Sequence, residues 1–341
     1  MSARRGLHNR PFELGLLLLI LFLILSMLPG CTPGNRDSGR FSDFDAVLFA
    51  GGDPEFYFSR LVADGAIAAA EDLGVDLELF WSNWDSDRMV RQFKEAIERN
   101  PDGIAIMGHP GEAAMGSFVR EARRKGIVVT SLNVELPTIQ EAFREEGFGY
   151  VGQDVESSGE NLAKAAMRRY ELAGGDTVLV YGVASYPIRG KRTVSAIEAF
   201  EAAEMNVVYR EHNRAETAAG DRVNQEKAIV EMLTAHPEAE LLLDDTEPLS
   251  TALAMRNHGI SPDRLPVVGF DLTPEIVDDI RAGYIDLIAD QQPFLQGYLS
   301  LLQLAFSGEY GFTGLYINTG GGFIDRTNID SVADLVERGI R

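Results

Sequence analysis

At several points in this sequence a short apolar run breaks off into a residue able to hold a hydroxyl group or cover a ring. Asp53 follows "AVLFAGG", with Phe56, Tyr57 and Phe58 just behind it. Asn133 follows "IVVTSL", Asp244 and Asp245 follow "LLL", Asp271 follows "VVGF", and Gln291 follows "IAD". Carboxylates and planar amides hold hydroxyls through well-directed hydrogen bonds, and aromatic rings cover the C–H faces of a sugar. The set suits a small polyhydroxylated ligand and not phosphate.

The runs that carry these residues read as strands of a parallel sheet. From Asp45 onward "AVLFA", "DLELFW", "GIAIMG" and "IVVTSLN" alternate with stretches of helical period. In "SDRMVRQFKEAIERN", Met89, Val90, Phe93, Ala96 and Ile97 share one helix face. The pattern restarts after Gly152 to Asp154 with "TVLVYGV", "NVVYRE", "AELLLDD", "LPVVGFD" and "IDLIADQ". Alternation of this kind predicts an α/β fold of two doubly wound parallel-sheet halves with helices on both faces. In such sheets ligands lie beyond the carboxyl ends of the strands, where the polar and aromatic residues stand.

Other chemistries fail on spacing. "GGDPEFYF" lacks the G-x-G-x-x-G of a dinucleotide loop, and Asp53 would set a negative charge beside a pyrophosphate. "RGKR" has Ser185 where a P-loop needs glycine and Arg192 where it needs Ser or Thr. His8, His109, His212, His236 and His258 form no H-x-x-H pair, so no metal is expected. Asp85 and Asp87 lack the glycine and terminal glutamate of an EF-hand, and helix capping explains them. No G-x-S-x-G elbow is present, so neither an enzyme nor a cofactor is expected. "TGGGF" at 319–323 reads as a turn or hinge. Each proposed ligand group also has a structural use. Asp271 and Asp244 stand where they would cap helices starting near Thr273 and Pro248, and the Phe56–Phe58 aromatics are types that fill cores.

The 341 residues suffice for two domains. Arg4, Arg5 and Arg10 precede the apolar run Leu14 to Leu28, the layout of an export signal over residues 1–30. "LPGC" resembles the lipobox of bacterial lipoproteins, which implies cleavage before Cys31, lipidation of its sulfur and a polar tether over 31–43. Cys31 is the one cysteine, so no disulfide is expected. The net charge is −21, and loss of a leader carrying net +2 leaves −23, a surface that repels nucleic acid.

Over Asp45 to Asn328 the chain resembles the ribose- and galactose-type periplasmic sugar-binding proteins of ABC importers. The resembling stretches are "ADGAIAAAEDLG", "GIVVTSLN", "YVGQDVESSGENLAKA", "DDTEPLSTALAM", "VVGFDLTPEIVDDIRAGYIDLIADQQPFLQGYLSL" and "INTGGGFIDRTN". The resemblance implies two lobes joined by three crossing strands, 44–152 plus 292–316 and 153–291 plus 317–341, closing on one sugar. It carries the family's aromatics onto Phe56 and Phe58, its first-lobe acid onto Asn133, and its arginine, asparagine, aspartate and glutamine onto Arg192, Asp244, Asp271 and Gln291. Asn133 and Val134 replace an acid and an arginine, so the ligand need not be ribose: a monosaccharide, polyol or sugar acid is expected. A monomer on the extracytoplasmic face, lipid-anchored and delivering to a permease, is implied. A receptor for a membrane sensor kinase or chemoreceptor, for a sugar or an autoinducer-2-like signal, has the same mature chain and stays open. The effector domain of a repressor would need a basic helix-turn-helix where the export signal stands.

Overall fold

The computed structural model describes residues 40–212 and 222–341; the apolar leader, Cys31 and the first part of the tether lie outside them. Two six-stranded sheets share one plan. The first comprises β1 (Asp45–Gly51), β2 (Asp76–Trp81), β3 (Gly103–Met107), β4 (Val128–Leu132), β5 (Tyr150–Gly152) and β11 (Tyr316–Asn318), in the order β2-β1-β3-β4-β5-β11. The second comprises β6 (Thr177–Gly182), β7 (Asn206–Glu211), β8 (Leu241–Asp244), β9 (Val267–Phe270), β10 (Leu287–Asp290) and β12 (Gly322–Ile324), in the order β7-β6-β8-β9-β10-β12. All pairings are parallel except β10 with β12. This is the doubly wound order, with its ligand crevice at the carboxyl ends.

The chain passes between the sheets three times. After β5 it enters α5 (Val155–Arg169) of the second lobe. After β10 it returns through Gln291 and Gln292 to α10 (Pro293–Tyr310), which packs in the first core. After β11 it crosses again through Thr319–Gly321 to β12. Both faces of the second sheet are covered: Leu179, Tyr181 and Leu242 point into one cluster, and Val178, Val180, Leu241 and Leu243 into another. That is why these strands read as unbroken apolar runs.

The remaining helices are α1 (Tyr57–Leu73), α2 (Ser86–Arg99), α3 (Glu112–Arg124), α4 (Pro137–Phe143), α6 (Lys191–Ala202), α7 (Arg222–Ala235), α8 (Pro248–Asn257), α9 (Pro274–Ala282) and α11 (Ala333–Glu337). Asp85 caps α2 by accepting from the Arg88 N–H at 2.8 Å. Two helix pairs touch backbone to backbone. On α10, a Cβ at Gly297 would lie 1.8 Å from the Val62 carbonyl oxygen of α1. On α5, one at Gly159 would lie 1.9 Å from the Arg192 carbonyl oxygen of α6.

The second contact fixes the start of α6, and with it Arg192. Gly159→Ala would gain about 1 kcal/mol of helix propensity, but neither backbone can yield, and overpacking costs about 1–3 kcal/mol. A net loss of up to about 2 kcal/mol is therefore expected, read as a lower urea midpoint at unchanged slope. An unchanged midpoint would mean that the two helices slide freely on each other.

Candidate ligand-binding cleft

The two glycines at the end of β1 do not cradle an anion. The Gly52 N–H donates to the Ser59 hydroxyl at 2.8 Å, and a Cβ at either Gly51 or Gly52 would come within 2.6 Å of Trp84. The loop is built to let an indole lie against backbone. Trp84, itself at φ 55°, meets Phe56 edge-on at 5.8 Å, Phe58 at 6.0 Å and His109 at 5.0 Å between ring centroids. Phe56 is 41% exposed, whereas Phe58 is buried in the first core and backs the indole. Of the aromatic triplet, then, only Phe56 presents a ring outward; Phe58 lines the wall from behind because it sits on the inward side of α1. Tyr57 points to the other lobe, where its hydroxyl donates to the Val336 carbonyl at 2.6 Å, and burial pushes its phenol up to about 12.

Asp53 is a loop former as well as a candidate ligand group: its Oδ1 accepts from the Glu55 and Phe56 N–H groups at 2.8 and 3.0 Å. These bonds set the entry to α1 and the position of Phe56.

Asn133 and Asp271, at the ends of β4 and β9, both hold left-handed backbone, φ 63° and 71°. Non-glycine residues pay for that conformation, and it concentrates where a site needs a side chain aimed against the run of the chain. A hydrogen-bond relay links them. Asn133 Nδ2 donates to Gln296 Oε1 at 3.2 Å, Gln296 Nε2 donates to the Gln291 carbonyl at 3.0 Å, and Gln291 Nε2 donates to Asp271 Oδ1. Asp271 does not cap α9, because Thr273 does so by accepting from the Ile276 N–H. Burial pushes the Asp271 carboxyl up, against the lowering pull of Arg192.

Arg192 is buried, with its guanidinium 3.7 Å above the Phe270 ring, one residue before Asp271. Its Nε and Nη2 donate to Asp245, to Oδ1 and the main-chain carbonyl, and Nη1 donates to Gln153 Oε1 at 3.2 Å. Burial, with Arg189 beside it, brings the group down to about 10, so it stays charged at neutral pH. Arg189 joins from the loop before α6: Nη1 donates to Asp245 Oδ2 at 3.0 Å and Nη2 to its carbonyl at 2.8 Å.

Here the structure corrects the sequence reading. Asp244 does not face the arginines. Its Oδ1 accepts from the Thr246 N–H, the Thr246 hydroxyl and the Glu247 N–H at 2.8, 2.7 and 3.2 Å, and its Oδ2 from the Thr251 hydroxyl at 2.8 Å. The carboxylate is used up in starting α8. Its neighbour Asp245 is the acid that meets Arg189 and Arg192, since successive residues leaving a strand point to opposite sides. The two acids behave oppositely. Burial pushes Asp244 up, while for Asp245 the burial effect is outweighed by Arg189 and Arg192, which hold it below the usual carboxylate range.

Sequence reasoning passed over Trp84, Arg189, Gln153 and Gln296, and of the two acids after "LLL" it took Asp244 over Asp245. Trp84 carried a signal, lying within three residues of a strand end. Among the described residues no group of three His, Cys, Asp or Glu side chains is arranged to hold a metal ion, and no helix is long and apolar enough to cross a membrane.

Comparison with known proteins bears on the whole of this arrangement. The xylose/arabinose-binding protein XylF of Sulfolobus acidocaldarius is 26% identical over 262 residues, 72% of this chain and 62% of that protein, so the chain spans less than two thirds of this curated relative's length. A carbohydrate transporter from Acidothermus cellulolyticus 11B, solved in complex with myo-inositol, aligns with TM-score 0.73 at 23% identity, over 87% of this chain and 99% of that one. A solute-binding protein from Burkholderia graminis C4D1M, in complex with D-arabinose, gives 0.73 at 20% identity, over 85% and 97%. GanP, a glucose-galactose binding protein from Geobacillus stearothermophilus, gives 0.71 at 23% identity, over 84% and 98%. At such identities the structures speak for the fold. Residues 46–306, well over half of the chain, match the family described as periplasmic binding protein domain. With that match joined to paired doubly wound sheets and three crossings, the chain belongs to the periplasmic binding protein domain family.

Proposed function

We propose that this protein is an extracytoplasmic solute-binding protein that captures a neutral monosaccharide or cyclic polyol between its lobes and delivers it to an ABC importer. The observation that carries the reading is the Asp271–Gln291 pair beside a guanidinium stacked on Phe270. It offers a carboxylate, an amide and an arginine, the groups that hold ring and hydroxyl oxygens. Two arginines, Arg189 and Arg192, stand against Asp245 and Asp271, with Asp53 a further acid, so the set holds no spare positive charge for an anionic ligand. That favours an uncharged sugar over a sugar acid. The sugar named for the Sulfolobus relative, and the myo-inositol and D-arabinose in the similar structures, support the same ligand class.

In this reading Asp271, Gln291 and Asn133 hold hydroxyls, Arg192 donates to a ring or hydroxyl oxygen, and Phe56 with Trp84 covers the sugar's face. Asp53 contributes its outer oxygen. The lobes, 44–152 plus 292–316 and 153–291 plus 317–341, hinge at the three crossings. The ligand shifts the equilibrium by its differential affinity for the closed form. Cleavage before Cys31 and its lipidation would hold the protein, as a monomer, at a membrane beside its permease, with no catalytic step.

Thermal unfolding of the chain from Arg40 onward against pentoses, hexoses, inositols, sugar acids, nucleosides and NAD tests the reading. A true ligand at a hundredfold excess over Kd stabilises by about 2.7 kcal/mol. A rise with a neutral sugar or inositol is expected. A rise only with nucleosides or NAD, or with none of the panel, would overturn it.

A further inference from the structure

Arg192 has five N–H donors, and three are engaged within the protein: two by Asp245 and one by Gln153. Asp245 belongs to the same lobe as Arg192. Gln153 does not simply share that lobe: it stands in the first crossing, directly after β5 and one residue before Asp154, which caps α5. Gln153 is 3% exposed and Arg192 4%, so their bond is shielded from water.

Gln153 is itself held by the hinge on two sides. Its carbonyl accepts from the Tyr150 hydroxyl at 2.6 Å, and that hydroxyl also lies 2.9 Å from the Asn133 carbonyl. From the third crossing, Gly320 presses on its side chain: a Cβ there would lie 2.5 Å from Gln153 Cγ and 3.0 Å from its Cβ. Gly320 is glycine for this close approach and not for its backbone angle, since its φ is not in the left-handed region. Thr319, next to it, donates its hydroxyl to the Gln291 carbonyl at 2.8 Å, which ties the third crossing to the second. The Gln153 amide oxygen is therefore aimed at Arg192 by elements of the first and third crossings.

We infer that Gln153 is a positioning residue that ties the orientation of the Arg192 guanidinium to the first and third crossings, so that ligand affinity depends on the state of the hinge. The inference rests on Arg192 being a ligand group, as proposed above. When the crossings turn, the bond to Gln153 either holds the plane of the guanidinium against Phe270 with its two remaining donors toward the cleft, or releases it. By reciprocity, a ligand that engages those donors favours the hinge state in which Gln153 is in place.

Two readouts separate this role from a merely structural one. The first is the Arg192 Nε–H signal in ligand-free protein labelled with 15N-arginine, identified by its absence in Arg192→Lys. Gln153→Leu, which fills the space without an acceptor, is expected to shift this signal and speed its exchange with water, and Gln153→Glu to restore both. The second is calorimetric titration with the sugar that scores in thermal unfolding: about tenfold weaker binding for Gln153→Leu, recovery for Gln153→Glu, and a ligand-free unfolding midpoint close to wild type for both. Gly320→Ala keeps the amide but displaces it, and should weaken binding in the same direction; it serves if the leucine variant fails to fold. An unchanged Arg192 signal, or unchanged affinity alongside a lowered midpoint, would overturn the inference. If the wild type binds no sugar, the functional proposal fails, and the Arg192 signal still decides whether Gln153 positions it.

Discussion

Asp271→Ala is expected to weaken sugar binding by more than a hundredfold while leaving the ligand-free fold nearly as stable as wild type. A hydrogen bond from a ligand hydroxyl to a buried carboxylate is worth about 1.5–3 kcal/mol, and a carboxylate at the centre of a sugar site takes two. Its loss also frees the Gln291 amide and removes the charge that balances Arg192. Asp244→Ala should do the reverse. Four donors converge on that carboxylate inside the second lobe, and the alanine leaves them unpaired. Only the Thr251 hydroxyl is fully buried and costs about 1–3 kcal/mol when unpaired, and the part-buried turn bonds add about 1 kcal/mol, so a loss of roughly 2–4 kcal/mol with near-native affinity is expected. Urea unfolding and calorimetric titration of the two variants give a crossed pattern. Strong affinity loss in Asp244→Ala with Asp271→Ala unaffected would reassign the site.

The second large effect concerns Asp245. Two guanidinium groups, Arg189 and Arg192, converge on it, along with the Thr193 hydroxyl, and all of these but Arg189 are nearly inaccessible to water. A paired buried charge is a weak net stabiliser, but removing one partner strands the other, at about 3–5 kcal/mol. Asp245→Ala strands two. A lowering of the unfolding midpoint by about 10 °C is expected for a lobe of this size, together with loss of sugar binding, because Arg192 is no longer held over Phe270. Asn at this position keeps one side-chain acceptor, turns the other into a donor and loses the charge, so it should fall between alanine and wild type. A stability loss below about 1 kcal/mol for alanine would mean that the arginines relax into solvent, and that the cluster does not order the cleft.

The parts of this molecule that follow a period were legible in the chain. Strands buried on both faces show as apolar runs, amphipathic helices as a 3.6-residue rhythm, and the restart of the pattern after Gly152 as a second lobe. The site was legible only as far as strand ends could be located. An end misplaced by one residue swaps which side a side chain faces, and that is the whole difference between Asp244 and Asp245. Trp84 escaped because it reaches the cleft from a turn with left-handed backbone, φ 53° at Asn83 and 55° at Trp84, that no period announces. Gln153 and Gln296 escaped because their importance comes from crossings that bring residues 133, 153, 192, 291 and 320 together, a juxtaposition set by topology and not by local sequence.

The three crossings also govern when the molecule can fold. The first sheet is finished by β11, Tyr316–Asn318, and its α1 is covered by α10, Pro293–Tyr310, so its two edge strands, β2 from Asp76 and β11 from Tyr316, start 240 residues apart. Neither lobe is contiguous, and the first cannot be completed until the second has been threaded. Closing pairings of such long range is slow, and a chain emerging from the ribosome lacks the last strand of the first sheet until Asn318 has been made. Until that last strand is laid down, β5 remains the open edge of the first sheet, so completion of the first lobe and the tying of all three crossings become a single late event.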